Sequence, residues 1–223
     1  MRAPEPDEPA AVMPPTSKAT YVIERLRQEI IQGIIRPGEL LRQADLARRY
    51  GVSPTPVREA LRLLEAEGTI SYVPHRGASV TELNPNHVKD LYQLRAAVEG
   101  LATRLAVERM SDETLQHIRV LHERLATTRE GDDPRKLSAW NQEFHLAICQ
   151  AASPVVTSHA SILWRMFPTE ATLWRLPYRD SLVAQHRAVV DAMVDRDPSR
   201  AEASMAEHVL AAGAYRQRDL EAQ

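Results

Sequence analysis

From Asn84 to its C-terminus the chain runs for 140 residues with three glycines, Gly100, Gly131 and Gly213, while apolar residues return every three or four positions. So regular a period with so few turn residues leaves little choice but helix packed on helix. Val88, Leu91, Leu94, Val98, Leu101 and Leu105 predict one long helix, and Leu115, Ile118, Leu121 and Leu125 a second that ends around "REGDDP". Trp140, Phe144, Ala147, Ile148 and Ala151 predict a third, stopped at Ser153-Pro154, and Val155 to Phe167 a fourth. Leu182, Val183, Val189, Val190 and Met193 predict a fifth, and a sixth runs from Ala201 to about Arg216 after "DRDP". Residues 84–220 are expected to form an all-helical bundle without a strand.

The front of the chain has another texture. Residues 1–17, with five prolines, read as a disordered tail. From Lys18, the positions Val22, Leu26, Ile30 and Ile34 predict a helix ending between Gly33 and Pro37, followed by a turn and a short extended piece at "RPGELL". "RQADLARRYG" predicts a second helix stopped by Gly51. "GVSPTPVREALRLLEAEG" then sets Ser, Pro, Thr and Pro before a third, whose Val57, Ala60, Leu61 and Leu64 share one face while Arg58 and Arg62 take the other. Proline suits the first helical turn, where its missing N–H would be unbonded anyway, and Ser53 or Thr55 can cap the free amides. "TISYVPHRGASVTEL" follows, two β-prone pieces around "PHRG". Three helices and a hairpin over residues 18–81 make a winged helix-turn-helix.

The charge is small overall and unevenly placed. The chain carries 28 Lys and Arg against 30 Asp and Glu, a net charge of −2. Residues 18–81 hold ten basic against seven acidic side chains and residues 82–223 seventeen against twenty, so a basic front precedes an acidic rear. No apolar run approaches the length that spans a bilayer, and the proline-rich, acidic N-terminus does not have the pattern of an export signal. A single cysteine, Cys149, excludes an internal disulfide framework. A cytoplasmic protein is expected.

In combination, "LARRYGVSPTPVREALRLLEAEGTI" and "RGASV" resemble the DNA-binding half of GntR-family transcription regulators. "LYQLRAAVEGLATRLAVERM", "NQEFHLAICQAAS" and "HRAVVDAMVDRDPSRAEASMAEHV" resemble the all-helical FCD effector domain of the family's FadR-like branch. The likeness runs from Lys18 to Tyr215. It implies a homodimer that binds a palindromic double-stranded operator, more often as a repressor, and responds to a small metabolite in the helical domain.

A recognition helix enters the major groove by its N-terminus, so Ser53 and Thr55 are placed to meet bases or phosphates. Arg58 and Arg62 on that helix, and Arg42, Arg48 and Arg49 at the preceding one, are placed to meet phosphates. By the resemblance, Arg76 beside Gly77 is the wing residue that reaches a minor groove. Members commonly carry arginine where this chain has Pro54, and proline cannot read a guanine edge.

In the bundle, Asn141 and His145 are four residues apart and project from one helical face, His186 lies within an apolar stripe, and His208 lies on the Met205/Ala212 side of the last helix. Each histidine taken singly fits a buried neutral imidazole. Together they are a ligand set for a divalent ion, zinc or nickel, which helical bundles hold between facing helices. The resemblance implies the same four positions, with aspartate in many members where this chain has Asn141. It also implies that Arg95 holds the carboxylate of a small organic-acid effector; the alternative role of Arg95 is an ion pair with Glu99, one turn on. Cys149, Trp164, Phe167 and Trp174 either approach this site or fill the core. Two other functions compete: a metal-responsive regulator in which the ion is the signal, and a helical metallohydrolase. The hydrolase has no His-Glu-x-x-His pattern, and Glu143 and Glu207 are expected to point away from the histidines.

Overall fold

The computed structural model describes residues 17–31, 34–73, 77–81, 85–129, 131–166 and 178–221. The sequence expectations for the tail up to residue 16, for Pro74-His75-Arg76, and for Phe167 and Trp174 lie outside the described residues.

The front domain comprises α1 (Lys18–Ile31), β1 (Leu40–Leu41), α2 (Gln43–Tyr50), α3 (Pro54–Ala66), β2 (Ile70–Val73) and β3 (Gly77–Val80). The strands form one antiparallel sheet in the order β1-β3-β2, so the extended piece at Leu40 joins the hairpin as a third strand. Val22, Leu26 and Ile30 of α1 pack on Val57, Leu61 and Leu64 of α3 in a core separate from that of the bundle. Ile34 departs from expectation: α1 ends at Ile31, which turns Ile34 out to 53% exposure and puts Ile35 into the core instead. Gly51 closes α2 in the left-handed region, φ 65°, where a β-carbon would be strained.

The rear domain holds α4 (Pro85–Arg109), α5 (Asp112–Ala126), α6 (Pro134–Ala152), α7 (Pro154–Arg165), α8 (Tyr178–Val194) and α9 (Pro198–Glu221). The six expected helices are present, and one apolar core joins them. Ser111 and Ser153 cap α5 and α7, each accepting a hydrogen bond from a backbone N–H three residues on. Tyr92 of α4 packs against α9 so tightly that a β-carbon at Gly213 would come within 2.7 Å of its side chain. Of the expected α4 stripe, Val88 and Leu91 are buried and Val98 and Leu105 pack against the core, but the buried face also takes in polar residues one position on. Leu94 is 52% exposed, while Arg95, Glu99 and Thr103 are buried. That interior polar face is what positions the site.

Candidate functional site

The three histidines come from three helices, His145 from α6, His186 from α8 and His208 from α9, and all are buried. Their ligand atoms lie within 4.8 Å of one another. His145 Nε2 stands 3.2 Å from His186 Nε2 and 3.2 Å from His208 Nε2. Imidazoles at 2.0–2.1 Å around a tetrahedral ion would place their nitrogens about 3.3 Å apart. The observed spacing fits.

The far sides of two rings are already committed. Glu99 is an acceptor only, so His145 Nδ1–H donates to its Oε2 at 2.6 Å. Gln185 donates its amide to Ser181 Oγ at 3.3 Å, which turns Oε1 toward His208, and His208 Nδ1–H donates to that oxygen at 3.1 Å. A neutral imidazole carries one N–H, so with both outer nitrogens donating, neutral rings at His145 and His208 would turn Nε2 lone pairs toward each other. A cation or a proton between the two nitrogens would relieve that repulsion. Acceptors on the outer nitrogens orient metal-binding histidines in the same way. Asn141, one turn before His145 and also buried, has an Oδ1 without a hydrogen-bond partner. The three imidazoles therefore fit a divalent ion, and the unpartnered Asn141 Oδ1 is a candidate fourth donor.

Electrostatics agree with that donor set. Burial, then the rings of His208, His145 and His122, push His186 well below the ordinary histidine range, and burial, then His145, does the same to His208. Neutral rings are the form that binds metal. Burial alone would raise the Glu99 carboxyl, but the Arg95 guanidinium and the His145 ring hold it down to about 2. Burial first, and the nearby Glu99 charge, push the Cys149 thiol up to about 12, so it stays protonated. Glu143 pairs at the surface with Arg124 at 3.0 Å and Glu207 is exposed, as expected, so neither serves as a base at the site.

Of the two roles foreseen for Arg95, the structure shows the ion pair with Glu99. Its Nε donates to Glu99 Oε1 at 2.8 Å, and its guanidinium carbon lies 3.9 Å above the Trp164 ring and 4.9 Å from that of Tyr92. Trp164 in turn lies 5.1 Å from the His145 ring. Glu99 is thus shared between Arg95 and His145, a bridge that sequence reasoning missed, as it missed Gln185. The i,i+4 spacing made the first half visible; the second spans 46 residues. A fourth histidine, His122, was also missed: it is buried, with neither ring nitrogen hydrogen-bonded, and its ring lies 6.5 Å from that of His186.

In the front domain, Ser53 is the N-cap residue of α3, yet its hydroxyl makes no capping bond. Ser53, Thr55, Arg58 and Arg62 are exposed along one side of α3, opposite the core face of Val57, Ala60, Leu61 and Leu64. Pro54 and Pro56 have no N–H, so the α3 N-terminus offers fewer backbone donors than most. Arg42 is exposed ahead of α2. Arg48 pairs with Asp45 at 2.7 Å on the surface. Arg49 lies 3.1 Å from the buried Glu29, which also accepts from Tyr50 O–H at 2.9 Å. Burial and that carboxylate raise the Tyr50 hydroxyl above its ordinary range. Gly77 opens β3 at φ 93°. Arg76 falls outside the described residues.

The family models match both domains: "Bacterial regulatory proteins, gntR family" over residues 18–80 and the FCD domain over residues 90–211. A protein of Paenarthrobacter nicotinovorans named "Probable D-xylose utilization operon transcriptional repressor" is 32% identical over 203 residues, covering 88% of this chain and 87% of its own. The Escherichia coli regulator McbR is 31% identical over 164 residues, 70% of this chain and 74% of its own. The solved structure of E. coli McbR/YncC superposes with a TM-score of 0.74 at 25% identity, covering 91% of this chain and 99% of that one. These relatives are regulators of transcription rather than enzymes, and among the described residues no helix is long and apolar enough to cross a membrane. The chain belongs to the GntR family of bacterial transcription regulators, with a winged helix-turn-helix in front and an FCD domain behind.

Proposed function

We propose that this regulator is a homodimeric repressor whose hold on a palindromic operator is set by a small organic acid bound at the imidazole site, together with a divalent ion, zinc or nickel. The observation that carries the reading is the convergence of the Nε2 atoms of His145, His186 and His208 while the Nδ1–H groups of His145 and His208 are taken by Glu99 and Gln185. His145, His186, His208 and Asn141 would hold the ion, which would supply open coordination positions for an anionic oxygen.

The charge balance favours an anion. Arg95 and Glu99 cancel, so three neutral rings, a neutral amide and a divalent ion leave about two positive charges in a buried site. Such an excess is costly unless an anion joins it. Arg95, stacked on Trp164 beside His145, is the second anchor for that carboxylate. Operator contact falls to Ser53, Thr55, Arg58 and Arg62 of α3, with Arg42, Arg48 and Arg49 on the neighbouring backbone and Arg76 and Gly77 in the wing.

The test is a thermal-shift panel of small carboxylates against their amides, with and without chelator, on wild type and His186→Ala. A carboxylate-selective shift that disappears with chelator and in the variant supports the reading. Equal stabilisation by the neutral amides refutes the carboxylate. Operator release on adding metal alone would instead make the ion itself the signal.

A further inference from the structure

Trp164, Arg165 and Met166 are consecutive at the C-terminal end of α7. Successive helical residues point about 100° apart, so the three side chains face three directions. Trp164 faces the imidazole site, its ring against His145 and under Arg95. Arg165 and Met166 face the front domain. Arg165 Nε lies 3.4 Å from Glu67 Oε1, and its carbonyl accepts Thr69 Oγ1–H at 3.3 Å. The Met166 methyl sits so close to Gly68 that a β-carbon there would come within 3.3 Å of it.

Glu67, Gly68 and Thr69 are the turn that joins the recognition helix α3 to β2, and Glu67 also pairs with Arg27 of α1. Gly68 holds φ 73°, so the turn is a backbone shape that few other residues adopt. One helix end therefore touches the ligand site on one side and the base of the recognition helix on the other. Beside the contact lies a cleft of about 350 Å³ between Gly68, Leu91, Leu94 and Met166, with His87 and Asp90 also in its lining, which leaves Met166 room to shift.

We propose that the last turn of α7 is the coupling element of this regulator: a change at the imidazole site moves Trp164, and Arg165 and Met166 carry that movement to the Glu67–Thr69 turn and so to α3. The proposal rests on the metal-site reading above. His145, His186 and His208 would hold the ion, which would fix the His145 ring in place, and Trp164, packed on both that ring and Arg95, would be fixed or shifted with it.

The experiment is hydrogen exchange followed by mass spectrometry on the full chain, chelator-treated against zinc-loaded, with zinc alone as the probe. In wild type, amide exchange at residues 68–70 should change by about fivefold or more on zinc loading, the low end of typical inter-site coupling. Thr69→Val combined with Met166→Ala should bind zinc as wild type does by calorimetry, yet lose the response at the turn. Thr69→Val and Arg165→Met alone, both conservative in size, should each diminish it. Unchanged exchange at the turn of a wild type that binds zinc overturns the proposal, and so does a response that survives in the double variant. A wild type that binds no zinc removes the metal reading itself.

Discussion

Glu99→Gln tests the bridge between the two halves of the site. The substitution keeps the shape of the side chain and removes its charge. In the native structure that charge accepts from Arg95 at 2.8 Å and from His145 at 2.6 Å, with both Arg95 and Glu99 at least 95% buried. Breaking a buried ion pair by removing one partner costs about 3–5 kcal/mol, because the other charge stays buried without compensation. For a chain of this length that corresponds to a fall in Tm of roughly 6–20 °C. Losing the acceptor that orients a metal-binding histidine should also weaken zinc about 10- to 100-fold. Differential scanning calorimetry of metal-free protein reads the first effect and zinc titration of the folded variant the second. The pair Arg95→Met with Glu99→Leu separates them: an apolar replacement of the whole ion pair should recover much of the stability, while zinc affinity stays low. A Glu99→Gln protein within about 0.5 kcal/mol of wild type and with unchanged zinc affinity would refute the bridge.

Three further outcomes follow from the geometry. Arg58→Ala should weaken binding to all DNA sequences alike and reduce the salt slope by about 1, as for a lost phosphate contact; relaxed specificity at one base pair with overall affinity retained would make Arg58 a base reader instead. Metal-free protein should lose stability on acidification, because His186 and His208 are neutral when folded and take up protons only on unfolding. The unfolded state then binds more protons below its histidine value near 6.5, which removes about 1 kcal/mol per ring by pH 5.5; urea midpoints equal at pH 7 and 5.5 would contradict this. Cys149, with its thiol pushed up to about 12 and buried, should react with a disulfide reagent at pH 8 about a thousandfold more slowly than an exposed thiol. Rapid labelling of native protein would mean that its surroundings open readily.

The fold was legible wherever periodicity and punctuation agree. Gly51 ends α2, the Ser-Pro-Thr-Pro run starts α3, and six helices fill the rear because apolar spacing and scarce glycine point the same way. Periodicity misled at one position of α4: Val88 and Leu91 are buried as their spacing suggests, but Leu94 is exposed and its neighbour Arg95 is inside. Arg95, Glu99 and Thr103 share the interior face of α4 with its apolar residues, and these polar groups are inside because they are hydrogen-bonded to one another, to backbone and to His145. Ile34 was misplaced for a smaller reason: a helix that stops at Ile31 resets the phase, and Ile35 inherits the core position.

The candidate site was legible as a set of residue types and not as a mechanism. Asn141 and His145 share a face by spacing alone, and His186 and His208 lie on apolar stripes. Which nitrogen of His145 and of His208 faces the cluster depends on Glu99 and Gln185, contacts across helices that no local pattern encodes. On the DNA side, exposure was correctly assigned to Arg58 and Arg62. The tie of Arg49 to buried Glu29 and Tyr50 was not visible, because Glu29 lies on a different helix.

X-ray absorption at the zinc edge of the zinc-loaded full chain bears most directly on the reading that three imidazoles form a metal site. One zinc per protomer is predicted, with three imidazole nitrogens at about 2.0–2.1 Å, at least one oxygen at a similar distance, and no sulfur. In His186→Ala the imidazole count should fall to two or the zinc should be lost. A sulfur shell near 2.3 Å, which only Cys149 or a methionine could supply, or a wild type that retains no zinc under replete conditions, would contradict it.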